Sequence, residues 1–168
     1  MLMLDTLIRY HAWANKEFLD RIEKLDTATY AAEFEQIVRL LDHIFVIGDI
    51  FAARLRGQTP VHTSDIRTPA PTFGDLRTEI LLQDQWYIDY VRDIPLEALS
   101  EKIAFHFTDG DAGCMSREEI IAHIVSHSGY HRGEIGRLLK QIGADIPWDT
   151  FAVFLHADEP QRRLQMAS

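Results

Sequence analysis

Histidines at positions 123, 127 and 131 share one stretch of chain, each four residues from the next. In an α-helix, residues four apart lie one turn apart on the same face. A His-x3-His pair of this kind suits chelation of one divalent ion. His123 and His131 are two turns apart, about 12 Å along the axis, so one ion can engage either adjacent pair but not all three. A third ligand then has to come from a facing helix. His43, beside Leu40, Ile47 and Ile50, is the best placed, and His11 competes with it. Three protein ligands leave a coordination position for water or substrate, the pattern of a catalytic rather than a structural metal site.

The same residues admit a plainer reading, in which histidines on an apolar face are hydrogen-bonded core groups. His11 in particular reads as a core residue or as one that supports the site from behind. Glu134 could orient a histidine or a bound water, but reads more simply as a solvated carboxylate. His62, His106 and His156 fall in linker, hairpin and tail and read as surface residues. The lone cysteine, Cys114, excludes an internal disulfide and any Cys-x-x-Cys metal knot. It reads as a small buried packing residue rather than a reactive thiol. Trp13, Trp86 and Trp148 read as packing groups. There is no nucleophile elbow, phosphate-binding loop or dinucleotide fingerprint.

The elements that must position these groups follow from periodicity. Leu7, His11, Ala14, Phe18, Ile22 and Leu25 keep helical spacing and predict a first helix over residues 5–25. Residues 26–30 break it. A second helix is expected over residues 32–56, with Asp42, Asp49, Glu35 and Arg39 opposite its wide apolar arc and Gly57 as its stop. Residues 58–71 carry three prolines and no periodicity, as a surface connection does. That is long for a link between helices, so the topology need not be simple up-and-down. Thr72 is the expected N-cap of a third helix ending near Arg92. Alternating Ile103, Phe105 and Phe107 before a turn at Gly110 predict a β-hairpin over residues 102–115, which must lean on the helices.

Ser116 with Glu119 forms a capping box that opens the last core helix, and Gly143 ends it. The apolar run 149–155 is expected to cover one end of the bundle. Beyond Asp158 the chain is polar and is expected to be disordered or to form a short helix.

The fold class expected is therefore all-α, a four-helix bundle with a short β-hairpin before the last core helix, in one domain spanning residues 1–168. The 26 acidic residues outnumber the 17 basic ones, for a formal charge of -9. That argues against nucleic-acid or anionic-membrane partners, both of which favour a basic face. No signal peptide and no bilayer-spanning run stand out, and the expected location is cytoplasmic.

At this point a family resemblance can be placed on specific residues. The run from His127 to Ile135 resembles the H-x3-H-R-G-[QE]-I signature of the DinB/YfiT-like superfamily of metal-binding four-helix proteins. Tyr10, Trp13, Ala14 and Asn15 resemble its first-helix Y-x-x-W-A-N stretch. Leu41, His43, Arg54, Leu55 and Gly57 resemble its second-helix elements, and Gly143, Pro147 and Asp149 its ending. The likeness covers nearly the whole chain and is weakest in the middle. It implies that His43, His127 and His131 bind one divalent metal (zinc, nickel or iron). It implies a homodimer, a small-molecule substrate and, as in some relatives, a low-molecular-weight thiol as co-substrate.

Overall fold

A computed structural model describes residues 3–164. Four long helices form the body: α1 (Met3–Ile22), α2 (Ala31–Leu55), α3 (Phe73–Asp93) and α4 (Arg117–Gln141). Between α3 and α4 lie a 3-10 turn (Leu96–Ser100) and the hairpin of β1 (Lys102–His106) and β2 (Ala112–Ser116). A short helix α5 (Phe151–Asp158) and a 3-10 turn (Pro160–Leu164) follow α4. The expected all-α class with one hairpin is what the chain adopts. The extreme C-terminal residues, 165–168, for which a disordered or helical tail was expected, lie outside the described residues.

The helix ends follow the capping chemistry of the sequence. The Ser116 hydroxyl accepts from the Glu119 amide, and the Glu119 carboxylate accepts in return from the Ser116 amide at 2.6 Å. Thr72 caps α3 by accepting from the Asp75 amide. Gly57 and Gly143 follow the ends of α2 and α4 at φ 71°, a left-handed conformation that costs a glycine little. The first helix stops at Ile22, short of the expected Leu25. There Asp26 accepts from the Ala28 and Thr29 amides and the Thr29 hydroxyl, a local turn that competes with helix.

Around the bundle, α1 and α2 are diagonal, each packed between α3 and α4. Cross-helix pairs give the directions. Asn15 meets Asp84 and Arg77 meets Asp20, so α1 and α3 are antiparallel. His43 meets His127 and Phe51 meets His123, so α2 and α4 are antiparallel as well. The α2 carbonyls of Phe45 and Gly48 accept from Gln83 and Tyr87 of α3, so these two run the same way.

A parallel pair needs a connection as long as the helix, which accounts for the long proline-bearing link. It runs back along α2: His62 lies 3.5 Å from Asp49, the Asp65 carbonyl faces His43, and Arg67 reaches Asp42. Asp42 was expected on the solvent side of α2, yet it is fully buried. It accepts from both the amide and the guanidinium of Arg67, which also forks onto Glu79. The linker turns a helix surface into an interior.

The apolar interior is in two parts. One gathers Phe18, Leu19, Ile37, Leu41, Ile80 and Ile135; the other gathers Ile8, Phe51, Leu55, Tyr87, Ile121 and Ile124. Between them, at the waist of the bundle, lie His11, Asn15, Asp84, Ser128 and Arg132, all buried. Apolar burial at both ends holds this polar layer in place, because each cluster joins all four long helices.

The hairpin leans on the bundle as expected, with Phe105 edge-on to Phe51 at 5.5 Å and under the Arg54 guanidinium. Cys114 was expected to be buried but is exposed. It pairs with Ala104 on the outward face of the strand pair, while Met115 and Ile103 turn inward by the period-two alternation. Trp13 and Trp86 are half-buried, but Trp148 is 78% exposed and so is not the packing group expected. The run 149–155 places Phe154 against Tyr10 and Trp13, along the first half of α1.

Candidate metal centre

His43 comes from α2, and His127 and His131 from consecutive turns of α4. Their ring centroids form a triangle with sides of 4.9, 4.6 and 4.6 Å. One nitrogen from each ring can be chosen so that all lie within 4.8 Å of one another. The Nε2 atoms of His43 and His127 are 3.1 Å apart. Two ligand nitrogens across a tetrahedral zinc, at bonds of about 2.0–2.1 Å, are separated by about 3.3 Å. The spacing therefore suits a shared ion.

The other ring nitrogens are committed. His43 Nδ1 lies 2.9 Å from the Asp65 carbonyl oxygen, which can only accept, so Nδ1 carries the proton. His131 Nδ1 donates to the Glu134 carboxylate at 2.6 Å. Both contacts leave the Nε2 lone pair free to bind an ion, and that of His43 faces the Nε2 of His127. A carboxylate or carbonyl behind a ligating imidazole is the usual means of fixing tautomer and ring orientation. Glu134 thus fills the orienting role rather than that of a free carboxylate. His127 is pushed down to about 3, first by burial and then by the neighbouring charges of His131, His43, His123 and His11. It stays neutral, so a proton does not compete for its lone pair.

His11 is not among the three. Its Nε2 lies 2.9 Å from the Asp84 carboxylate, deep in the waist, and its Nδ1 has no hydrogen-bond partner. His123 packs on Phe51 and approaches only His127. His62 lies by Asp49, and His156 bonds a carbonyl of its own helix.

Behind the histidine face, Arg132 is buried completely. It donates to Asp149 at 2.7 Å and to the Asn15 side-chain oxygen at 2.8 Å. The Asn15 amide in turn donates to both oxygens of Asp84, the partner of His11. Tyr10 donates to the other Asp149 oxygen at 2.5 Å, and burial followed by that bond pushes its phenol up to about 12. Four polar residues of the signature stretches, Tyr10, Asn15, Arg132 and Asp149, therefore form one connected network, which fixes the back of α4 against α1. The buried role of Arg132 was not among the sequence expectations. The available signal was its position: it falls at the spacing of Ile124, Ser128, Ile135 and Leu139 on the buried face of α4.

Comparison with known proteins agrees with this architecture. The sequence model of the DinB family matches residues 1–163. The chain is also similar to Protein DinB of Bacillus subtilis (strain 168), 24% identical over 154 residues that cover 85% of this chain and 88% of the relative. No helix among the described residues is long and apolar enough to cross a membrane. A bundle that brings three imidazoles together across α2 and α4, matched over nearly its full length by one family, has one assignment: the chain belongs to the DinB family.

Proposed function

We propose that the chain is a single-domain, metal-dependent enzyme in which His43, His127 and His131 hold one divalent ion. The observation that carries this reading is the convergence of three imidazoles, two of them with their outer nitrogens already bonded. Zinc suits the ligand set, and nickel or iron also accept imidazoles. When bound, the ion supplies Lewis acidity and lowers the pKa of a thiol or water beside it.

The chain's own part is to position and to give access. The His43 and His131 side chains remain 20% and 16% exposed, so the cluster is not sealed from solvent. Asp65 and Glu134 hold the rings, and the buried network behind Arg132 holds the helix. The reaction we assign is thiol-dependent S-transfer to a small electrophile. The sulfur loses its proton to solvent and bonds the electrophilic carbon, and the leaving group departs with its electron pair.

The test is a screen of thiols with electrophilic acceptors on zinc-, nickel- and iron-loaded protein, following thiol consumption and product mass. Activity that disappears on chelation and returns with metal is expected. Thiol consumption indifferent to chelation would refute the reading, and metal-dependent product formation without thiol would reassign the site to hydrolysis.

Glu134→Gln isolates the support given to His131. It is expected to weaken metal binding about 10–100-fold, as loss of an orienting carboxylate does. The fold should be unaffected, because the Glu134 side chain is 40% exposed. Competition with a chromophoric chelator measures the change; an unaltered affinity would show that the carboxylate plays no part in holding the metal ligand.

A further inference from the structure

One to two turns from the histidines, toward the start of α2, α2 and α4 wall a cavity of about 570 Å³. Gln36, Arg39 and Leu40 line it from α2, and Glu134 and Arg137 from α4. Glu134 is thus both the support of His131 and a wall of this cavity. Arg39 is one turn, about 6 Å, from His43, and Arg137 is six residues, about 9 Å, from His131 along their axes.

The charges in this groove are unusual for the molecule. Acidic residues outnumber basic ones by 26 to 17, and most arginines face a carboxylate. Arg137 has no hydrogen-bond or ion-pair partner among the described residues. Arg39 donates only to the Arg67 carbonyl. Two guanidinium groups without carboxylates therefore border one cavity beside the histidine cluster. The acidic groups facing it are Glu35 and Glu134, the latter engaged by His131. Their presence disfavours a dianion and suits a single carboxylate, which a guanidinium can grip with two parallel hydrogen bonds.

We propose that this groove is the subsite for a carboxylate of the co-substrate, held by Arg39 and Arg137 while the reacting atom sits at the histidines. The proposal rests on the metal-centre reading above and deepens it. The substrate class is a small anionic molecule whose carboxylate lies roughly 6–10 Å from its reacting atom, the span set by the helical rise.

Calorimetric titration of the zinc-loaded full chain with glutathione and with glutathione monoethyl ester tests it, since the two probes differ by one carboxylate. Glutathione is expected to bind about tenfold more tightly, the size of one charge-assisted hydrogen bond. Arg137→Gln and Arg39→Gln should each shrink the preference and together remove it, while Arg137→Lys should keep part of it. Equal affinities in the wild type, or a preference that survives in the double variant, would overturn the assignment. Elemental analysis of the same samples separates the two readings. A chain that takes up no zinc overturns the metal centre and this proposal with it. A zinc-loaded chain without charge preference overturns the subsite alone.

Discussion

Replacing Asp149 by alanine is expected to lower the unfolding free energy by about 3–5 kcal/mol, the cost of leaving a buried charge without its partner. Arg132 is completely buried, and its charge is balanced directly by Asp149, from which it is separated by 17 positions in sequence. Asn15 offers Arg132 a hydrogen bond but no charge. Against a total stability of about 5–15 kcal/mol, that loss puts the variant near the edge of folding. The effect should be electrostatic in origin. Tyr10→Phe removes one hydrogen bond to the same carboxylate and should cost only about 1 kcal/mol. Arg132→Met in the Asp149→Ala background removes the orphaned charge and should recover part of the loss. Urea titrations of the four proteins measure these differences. An Asp149→Ala loss no larger than that of Tyr10→Phe would show that the arginine finds solvent or another partner.

Replacing His127 by alanine is expected to abolish stoichiometric metal binding without unfolding the chain. Structural zinc is bound with about 10–16 kcal/mol of apparent free energy, so one ligand of four represents about 2.5–4 kcal/mol, roughly 70- to 800-fold in affinity. His127 touches both other rings of the cluster, its Nε2 3.1 Å from the Nε2 of His43 and its ring edge-on to His131. Its removal leaves the two remaining imidazoles on different helices. The fold should tolerate the change, because the ring is only half-buried and Ile124, Ile135 and Leu138 still bind α4 to the core. Thermal melts with and without zinc read both effects. The wild type should gain about 2.7 kcal/mol at a zinc concentration of 100 Kd, and the variant should gain nothing. His11→Ala should keep the zinc response, since His11 bonds Asp84 rather than the cluster. A zinc response retained by His127→Ala and lost by His11→Ala would exchange their roles.

The helices, their caps and the hairpin were legible because each is written in local chemistry: the Ser116–Glu119 box, the Thr72 cap, the alternation from Ile103 to Phe107. The candidate ligands were legible because His127 and His131 are one turn apart on one helix. Position on the second helix favoured His43 over His11, the family likeness selected the pair His127 and His131 over His123, and the structure brings these three rings together. What periodicity could not show is long-range polar pairing. Asp42 reads as a surface residue until Arg67 folds back from the linker onto it. Arg132 reads as one charge in a motif until Asp149, from beyond the end of α4, closes on it. Glu134 reads as solvated because its bond to His131 depends on a ring orientation that sequence does not specify. Cys114 and Trp148 are exposed against expectation because strand alternation and loop position, not residue type, decide which way a side chain faces.

One divalent ion held by three imidazoles and no sulfur has a direct spectroscopic signature. X-ray absorption at the zinc edge of the loaded wild-type protein tests this coordination most directly. Three imidazole nitrogens at about 2.0–2.1 Å and no protein sulfur are expected. Fewer than three imidazoles, or a sulfur shell at about 2.3 Å without added thiol, would contradict this ligand set.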